Sequence, residues 1–156
     1  MSRSTWKAAL IQSSLASGAI FLTFLVLRLE HAAAVASMGA TAFIVFIMPE
    51  SPTARPKNVV GGHLIGLAAG SLCSLLPVPS ALHVMLACSL AVGLSLLLMV
   101  VTGTQHPPAA GTALAVALAD ASTGILVGVL VSAIMLASFH AVLKKRLVDL
   151  SGSIKI

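Results

Sequence analysis

The sequence predicts an all-α membrane protein built from about six apolar segments. Of its 156 residues, 58% are hydrophobic and 8% are charged, whereas a typical soluble domain carries roughly 25% charged residues. A soluble protein of this length could not bury so much apolar surface. The apolar residues also fall into runs on the scale of a bilayer, and basic residues flank those runs. We therefore expect a single transmembrane domain over residues 1–156, embedded in the lipid bilayer.

Four of the apolar segments are long enough to cross a membrane: Ala8–Leu27, Val59–Leu76, Leu82–Val101 and Gly124–Leu143. As helices they would reach roughly 27–30 Å, which matches the hydrocarbon core. The first is longer than the apolar region of a signal peptide, which holds about 7–15 residues, so we interpret it as a membrane helix. Two shorter segments, Ser37–Met48 and Pro108–Ala119, would reach only about 18 Å, or half a bilayer.

The order of segment lengths is long, short, long, and then the same again. This order predicts two repeats, about 8–76 and about 82–143, followed by a basic tail at 144–156. Three crossings in each half would make the repeats inverted, as in many transporters. Small residues recur at every fourth position after each short segment: Gly62, Gly66 and Gly70, then Gly124, Gly128 and Ser132. Such stripes let helix backbones approach closely, so we also expect a homo-oligomer that associates through these faces.

The basic residues predict the orientation, because Lys and Arg concentrate on the cytoplasmic side of membrane proteins. If all six segments cross and the N-terminus is cytoplasmic, Arg55, Lys57 and the basic tail also lie inside. The opposite side then holds the loops around 28–31, 77–80 and Asp120, which carry few basic residues. We expect both termini to be cytoplasmic, in a bacterial cytoplasmic (inner) membrane.

The stretch "TGTQHPPAAGT", Thr102 to Thr112, interrupts the apolar second half. A residue before proline is disfavoured in a helix, so His106 should be extended and Pro107 or Pro108 should begin the next helix. That helix would start near mid-membrane, where its unpaired N–H groups need a polar partner. Small residues beside them would let an anion reach the backbone. The anion-binding residues predicted here are His106, Ala109, Ala110, Gly111 and Thr112.

The first half offers a counterpart in "ASMGAT". Ser37 would cap the short helix, Gly39 would leave space and Thr41 would add a hydroxyl. The loop "RPKNVVGGH" adds Asn58, which would cap the following helix, and His63, which lies one turn inside the apolar region. Two half-helix starts meeting from opposite sides would form a positively polarised anion site at mid-membrane.

Other functions have less support from the residues. The chain has no Tyr and one Trp, so the basic and aromatic surface typical of nucleic-acid binding is lacking. Cys73 and Cys88 fall in apolar runs and are expected to be packed thiols; His83 and His140 are expected at the membrane interface. No two histidines have the i, i+4 spacing of a helical metal site. We expect no enzymatic activity and no cofactor, but a non-transporting membrane adaptor and an intramembrane metal enzyme remain as alternatives.

Three stretches in order resemble the signature of the HPP family of integral membrane proteins: "SMGATAFIVF", "PKNVVGGHLIG" and "TGTQHPPAAGTALA". The resemblance covers about Leu25 to Leu143. It implies a multi-spanning protein that passes a small inorganic anion, nitrite or a similar oxyanion, because some members are implicated in nitrite transport in cyanobacteria and chloroplasts. The family commonly has Arg where this chain has Lys57. Lysine lacks the bidentate fork of arginine, so we expect a looser grip on an oxyanion there.

Overall fold

The computed structural model describes residues 3–27, 32–77, 80–119 and 121–152. These residues form an all-helical fold, as predicted, and no strand occurs among them. The six helices in chain order are α1 (Arg3–Leu27), α2 (Ala32–Ile47), α3 (Pro56–Ser74), α4 (Ala81–Thr102), α5 (Pro108–Ala119) and α6 (Thr123–Leu143). A short 3-10 helix, Pro52–Ala54, joins α2 to α3, and a second one, Lys144–Arg146, follows α6.

Three helices in the described part of the chain are long and apolar enough to cross a membrane, with spans at Ser4–Leu25, Ala81–Thr102 and Thr123–Arg146. The sequence led us to expect four. Helix α3 is the exception: it has 19 residues, but Lys57, Asn58, His63 and several glycines lower its hydropathy. Helices α2 and α5 are shorter apolar helices, as expected.

Helix α2 begins earlier than the sequence indicated. We placed its start at Ser37, but the helix runs from Ala32 and has 16 residues, because the alanines before Ser37 are the strongest helix formers. Ser37 therefore lies inside the helix and is not its N-cap, so the half-helix start expected there is wrong. Asn58 is not a cap either, because α3 begins at Pro56 with Arg55 as its N-cap, an arrangement that suits proline in a first turn.

The contacts that the helices of the first half (α1–α3) make match those that the helices of the second half (α4–α6) make. Helix α1 packs on α2 and α6, as α4 packs on α5 and α3, and the extensive contact of α3 with α5 corresponds to that of α6 with α2. The contacts of α2 with α5 and of α3 with α6 join the two halves. Ser37 contacts Thr112 while Thr41, one turn later, contacts His106, so α2 and α5 run antiparallel. An inverted repeat requires these pairings and this direction. The inverted repeat itself stays a prediction.

The glycines of α3 bring its backbone against α5. A Cβ on Gly66 would collide with the Ala109 carbonyl oxygen, and one on Gly70 would lie 2.7 Å from the Ala113 carbonyl oxygen. In the second stripe, Gly128 and Ser132 are buried as well. These faces are therefore occupied inside the chain, which corrects the surface we assigned to self-association. A homo-oligomer stays a prediction without them as its contact surface.

One end of the bundle is held together by Gln12 of α1, which is 2% exposed. Its side-chain amide donates to the carbonyls of Phe46 and Val148, and its carbonyl accepts from the Val148 N–H at 2.9 Å. The Leu150 N–H donates to the Ile47 carbonyl at 2.9 Å. The first half of α1, the end of α2 and the segment after α6 therefore lie at the same end, as the predicted orientation requires. A single Gln in an apolar run offered no sequence signal for this role.

We expect Gln12→Leu to lower the free energy of unfolding by about 1–3 kcal/mol, because it leaves the buried Phe46 carbonyl and the partly buried backbone groups of Val148 without their partner. Thermal unfolding in detergent measures the effect. Ser14→Ala is the control, because Ser14 is an exposed residue of the same helix. A Gln12→Leu protein as stable as the control would mean that this contact contributes no net stability.

Candidate functional site

A buried chain of polar side chains lies where α2, α3 and α5 meet. Its five members come from α2, α3, the segment between α4 and α5, and α5; they are Ser37, Thr41, His63, His106 and Thr112. Ser37 is 4% exposed and the other four are fully buried. We call these five side chains the polar core. Polar groups at membrane depth are costly unless they are paired, so their concentration at one point indicates function.

Two histidines converge on one hydroxyl. The Thr41 Oγ1 atom is 3.0 Å from Nε2 of His63 and also 3.0 Å from Nε2 of His106. The two imidazoles meet edge to face, with ring centroids 5.1 Å apart. On its other side, His106 donates from Nδ1 to the carbonyl of Thr53 at 2.9 Å. The second histidine of the pair is thereby tied to the turn between α2 and α3.

The remaining hydroxyls extend the chain from His63 to the start of α5. The Nδ1 atom of His63 is 2.8 Å from the Thr112 Oγ1 atom, which is 2.8 Å from the Ser37 Oγ atom. Ser37 in turn donates to the carbonyl of Pro108 at 2.7 Å. Every polar atom of the core therefore has a partner within the protein, and the core is closed on itself.

The break in the second half positions His106. Gly103 ends α4 in the left-handed conformation, with φ of 64°, which favours glycine. The chain then turns back beside the first turns of α3, where Asn58 donates from Nδ2 to the Gln105 carbonyl at 3.0 Å. Gly62 makes room, since a Cβ there would lie 2.7 Å from the His106 Cβ. The predicted non-helical His106 and the helix start at Pro108 are both confirmed.

The start of α5 differs from the expected open set of donors. The N–H of Ala109 donates to the His106 carbonyl at 2.9 Å, and that of Ala110 donates to the Pro107 carbonyl at 3.1 Å. The turn before the helix thus satisfies two of the N–H groups that we expected to be free for an anion. Since Gly62 lies opposite Ala109, α5 begins about two turns into α3, roughly 10 Å along its axis. This is nearer the end of α3 that carries Arg55 than we predicted.

A groove between α2 and α5 reaches the polar core from outside. Its volume is about 620 Å³. It is lined by Ala36, Ser37, Ala40, Phe43, Ile44, Pro107, Pro108, Gly111 and Leu114. Ser37 belongs to both the groove and the polar core, and a Cβ on Gly111 would lie 3.6 Å from the Ser37 Cβ. Gly111 therefore keeps the groove open at the point where it meets the core.

The structure brings most of the predicted site residues together. The five polar-core residues are in mutual contact, Asn58 holds the adjoining segment, and Ala109, Ala110 and Gly111 form the first turn of α5 beside them. Gly39 is the exception: it is exposed on another face of α2, and nothing lies within 4 Å of a Cβ built on it. Sequence reasoning missed the carbonyls of Thr53 and Pro108, because any residue can supply a backbone acceptor.

The other histidines lie apart from the polar core. His83 is exposed and hydrogen-bonded to Ser80, as an interfacial residue would be. His140 is 2% exposed rather than interfacial, and its Nε2 atom donates to the Pro49 carbonyl at 3.0 Å, because α6 ends against the turn after α2. Cys73 and Cys88 are buried free thiols, as expected. Within the described segments, no group of three or more His, Cys, Asp or Glu is placed to hold a metal ion.

The side chains of the polar core can bind a ligand through hydrogen bonds. Hydroxyl and imidazole groups can both donate and accept, so they can exchange internal hydrogen bonds for bonds to a ligand. The chain has four acidic residues; Glu50 and Asp149 lie at the Gln12 end of the bundle, and Glu30 and Asp120 lie outside the described residues. Among the described residues, no carboxylate therefore faces the core to repel an anion.

The sequence was compared with protein families and with individual known proteins. The model of the HPP transmembrane region matches residues 1–149. A transmembrane protein of Dictyostelium discoideum is 40% identical over 80 residues, which are 51% of this chain and 28% of the relative. A second transmembrane protein of that organism is 38% identical over 78 residues, 50% of this chain and 25% of the relative.

The chain thus spans about a quarter of the length of these relatives. No solved structure matches it. Because the family match covers almost the whole chain, the protein belongs to the HPP family of transmembrane proteins.

Proposed function

We propose that this protein passes a small inorganic anion, nitrite or a similar oxyanion, across a bacterial cytoplasmic membrane. The observation that carries the proposal is the polar core: five mutually hydrogen-bonded hydroxyl and imidazole side chains, buried inside an apolar bundle. A purely structural contact between helices would not need two histidines on one hydroxyl. The family resemblance favours the same class of substrate, because some members of the family are implicated in nitrite transport.

In this proposal the structure corresponds to a closed state. An anion approaching through the groove between α2 and α5 meets Ser37 first, and takes hydrogen bonds that now run between Ser37 and Thr112. The start of α5 adds the partial positive charge of a helix N-terminus. The N–H groups of Ala109 and Ala110 already donate to backbone carbonyls. They therefore contribute to this partial charge and do not bond the anion directly.

Flux into proteoliposomes tests the proposal. Protein-dependent, saturable uptake of nitrite is expected, with nitrate, formate and chloride as competing anions that rank the site's preference. Protein-free liposomes set the background. If the folded protein, checked by size-exclusion chromatography after reconstitution, moves none of these anions, it is not an anion transporter, and the adaptor function becomes the better explanation.

Side-chain bulk at the groove should weaken anion binding although no polar group is lost. Gly111→Val places two methyl groups near Ser37, and we expect nitrite affinity to fall at least fivefold, which corresponds to about 1 kcal/mol. Gly39→Val is the matched control: it is the same substitution on the other short helix, with nothing within 4 Å of the new Cβ. Equal losses in both variants, or none at Gly111, would exclude the groove as the binding route.

Orientation can be tested by cysteine labelling after Cys73 and Cys88 are replaced by Ala. We expect a membrane-impermeant maleimide added from outside to label Ser80→Cys and not Pro52→Cys, because Arg55 and Lys57 beside Pro52 favour the cytoplasmic side. Both positions are exposed in the structure. Labelling of Pro52→Cys in intact cells would reverse the proposed orientation.

A further inference from the structure

The polar core ends at two carbonyl groups, and this limits where its hydrogens can be. Ser37 donates to the Pro108 carbonyl at one end, and His106 donates from Nδ1 to the Thr53 carbonyl at the other. A carbonyl can only accept. Between these two ends the chain has six hydrogen bonds. With both histidines neutral, each of the five side chains supplies one hydrogen. Six bonds therefore share five hydrogens.

The shortage can be located at Thr41. Because the Ser37 hydrogen points to Pro108, Thr112 must donate to Ser37, and His63 must donate from Nδ1 to Thr112. The hydrogen of a neutral His106 is likewise on Nδ1. The Nε2 atoms of both neutral rings are then bare acceptors, and both face the single hydrogen of Thr41. The Ser37 carbonyl, 3.0 Å from the same hydroxyl, competes for that hydrogen.

We propose that His63 and His106 hold one proton between them, shared through the Thr41 hydroxyl, and that the anion is carried together with this proton. With the proton on His63, Nε2–H donates to Thr41, and Thr41 donates to the Nε2 atom of His106. Transfer of the Thr41 hydrogen to the Nε2 atom of His106, together with transfer of the His63 Nε2 proton to the Thr41 oxygen, gives the reverse arrangement with the proton on His106. All six bonds are complete in both, so neither ring is preferred by hydrogen bonding.

The surroundings of the pair explain why an anion should accompany the proton. Among the described residues, the groups hydrogen-bonded to the pair are the hydroxyls of Thr41 from α2 and Thr112 from α5 and the carbonyl of Thr53, all of them uncharged. Arg55 and Lys57 are exposed at the start of α3, and the Lys144–Glu50 ion pair lies at the end of α6. A buried charge without a partner is strongly disfavoured. An anion bound at Ser37 would neutralise the added proton, so the two are expected to bind together.

This inference rests on the proposed function, because the proton is expected to bind together with the transported anion. The first arm is a proton count: ¹⁵N NMR of labelled histidines in nanodiscs, with and without nitrite. We expect three protonated nitrogens on the His63–His106 pair when nitrite is bound, assigned with His63→Gln and His106→Gln. Two neutral rings in the presence of bound nitrite would overturn the proposal.

The second arm is flux. Nitrite accumulation in proteoliposomes should rise up to about tenfold when the outside is acidified by one pH unit relative to the inside, because one proton accompanies each anion and tenfold corresponds to about 1.4 kcal/mol. It should not respond to an imposed membrane potential, because one proton cancels one anionic charge. Exposed His83→Gln is the control and should behave as the parent protein does. Flux that follows the membrane potential and ignores the pH gradient would overturn the coupling but leave anion transport standing. Absence of any flux would overturn both.

Discussion

Gly66→Ala is expected to destabilise the protein by at least about 2 kcal/mol, as overpacking of a close contact does. The added Cβ would collide with the carbonyl oxygen of Ala109. That atom belongs to the backbone and cannot rotate away as a side chain can, so the start of α5 would have to move. Because His106 precedes this turn, the polar core should be disrupted as well, and anion flux should be lost along with stability.

The matched control for this prediction is Gly93→Ala in α4, where nothing lies within 4 Å of the new Cβ. There, alanine should leave stability unchanged or raise it by up to about 1 kcal/mol, because glycine is a poor helix former. Thermal unfolding of both variants in the same detergent makes the comparison. If Gly66→Ala unfolds at the same temperature as Gly93→Ala, the backbones of α3 and α5 are not in direct contact.

Thr41→Val is expected to have the largest effect on function. Valine has the shape of threonine but lacks the hydroxyl that lies 3.0 Å from both imidazole Nε2 atoms. Two buried ring nitrogens lose their partner, at a cost of about 1–3 kcal/mol for each unpaired group. The route by which the histidines share a proton is also removed. We expect the free energy of unfolding to fall by about 2 kcal/mol or more, and nitrite flux to fall more than tenfold.

Thr41→Ser separates the hydroxyl from the methyl group. Serine keeps the oxygen between the two rings and removes one methyl, which is worth roughly 0.8 kcal/mol when buried. Its ¹⁵N histidine spectrum should therefore resemble that of the parent protein, whereas the spectrum of Thr41→Val should show two isolated neutral rings. If the valine and serine variants have the same spectrum and the same flux, the Thr41 hydroxyl plays no part in the site.

Some helix boundaries could be predicted from the sequence, because they depend only on neighbouring residues. Helix α5 begins and ends where expected, at Pro108 and Ala119, because proline suits a first turn and disfavours the helical conformation of the residue before it. The start of α2 was misplaced because Ser37 resembles an N-cap, while the alanines before it continue the helix. Ser37 and Thr41 are four residues apart and so share a helix face. That spacing could have shown that Gly39 points elsewhere.

The sequence by itself determined the membrane class, the six segments and the interruption at His106, because hydropathy and proline chemistry act over short stretches of chain. Only the tertiary structure decided which polar groups meet. His63 and His106 share Thr41 because the glycines of α3 let the segment before α5 approach. The acceptors at both ends of the polar core are carbonyls of Thr53 and Pro108, which carry no side-chain signal. The missing hydrogen is a property of the whole chain of bonds, so it becomes visible only when four separate segments are packed together.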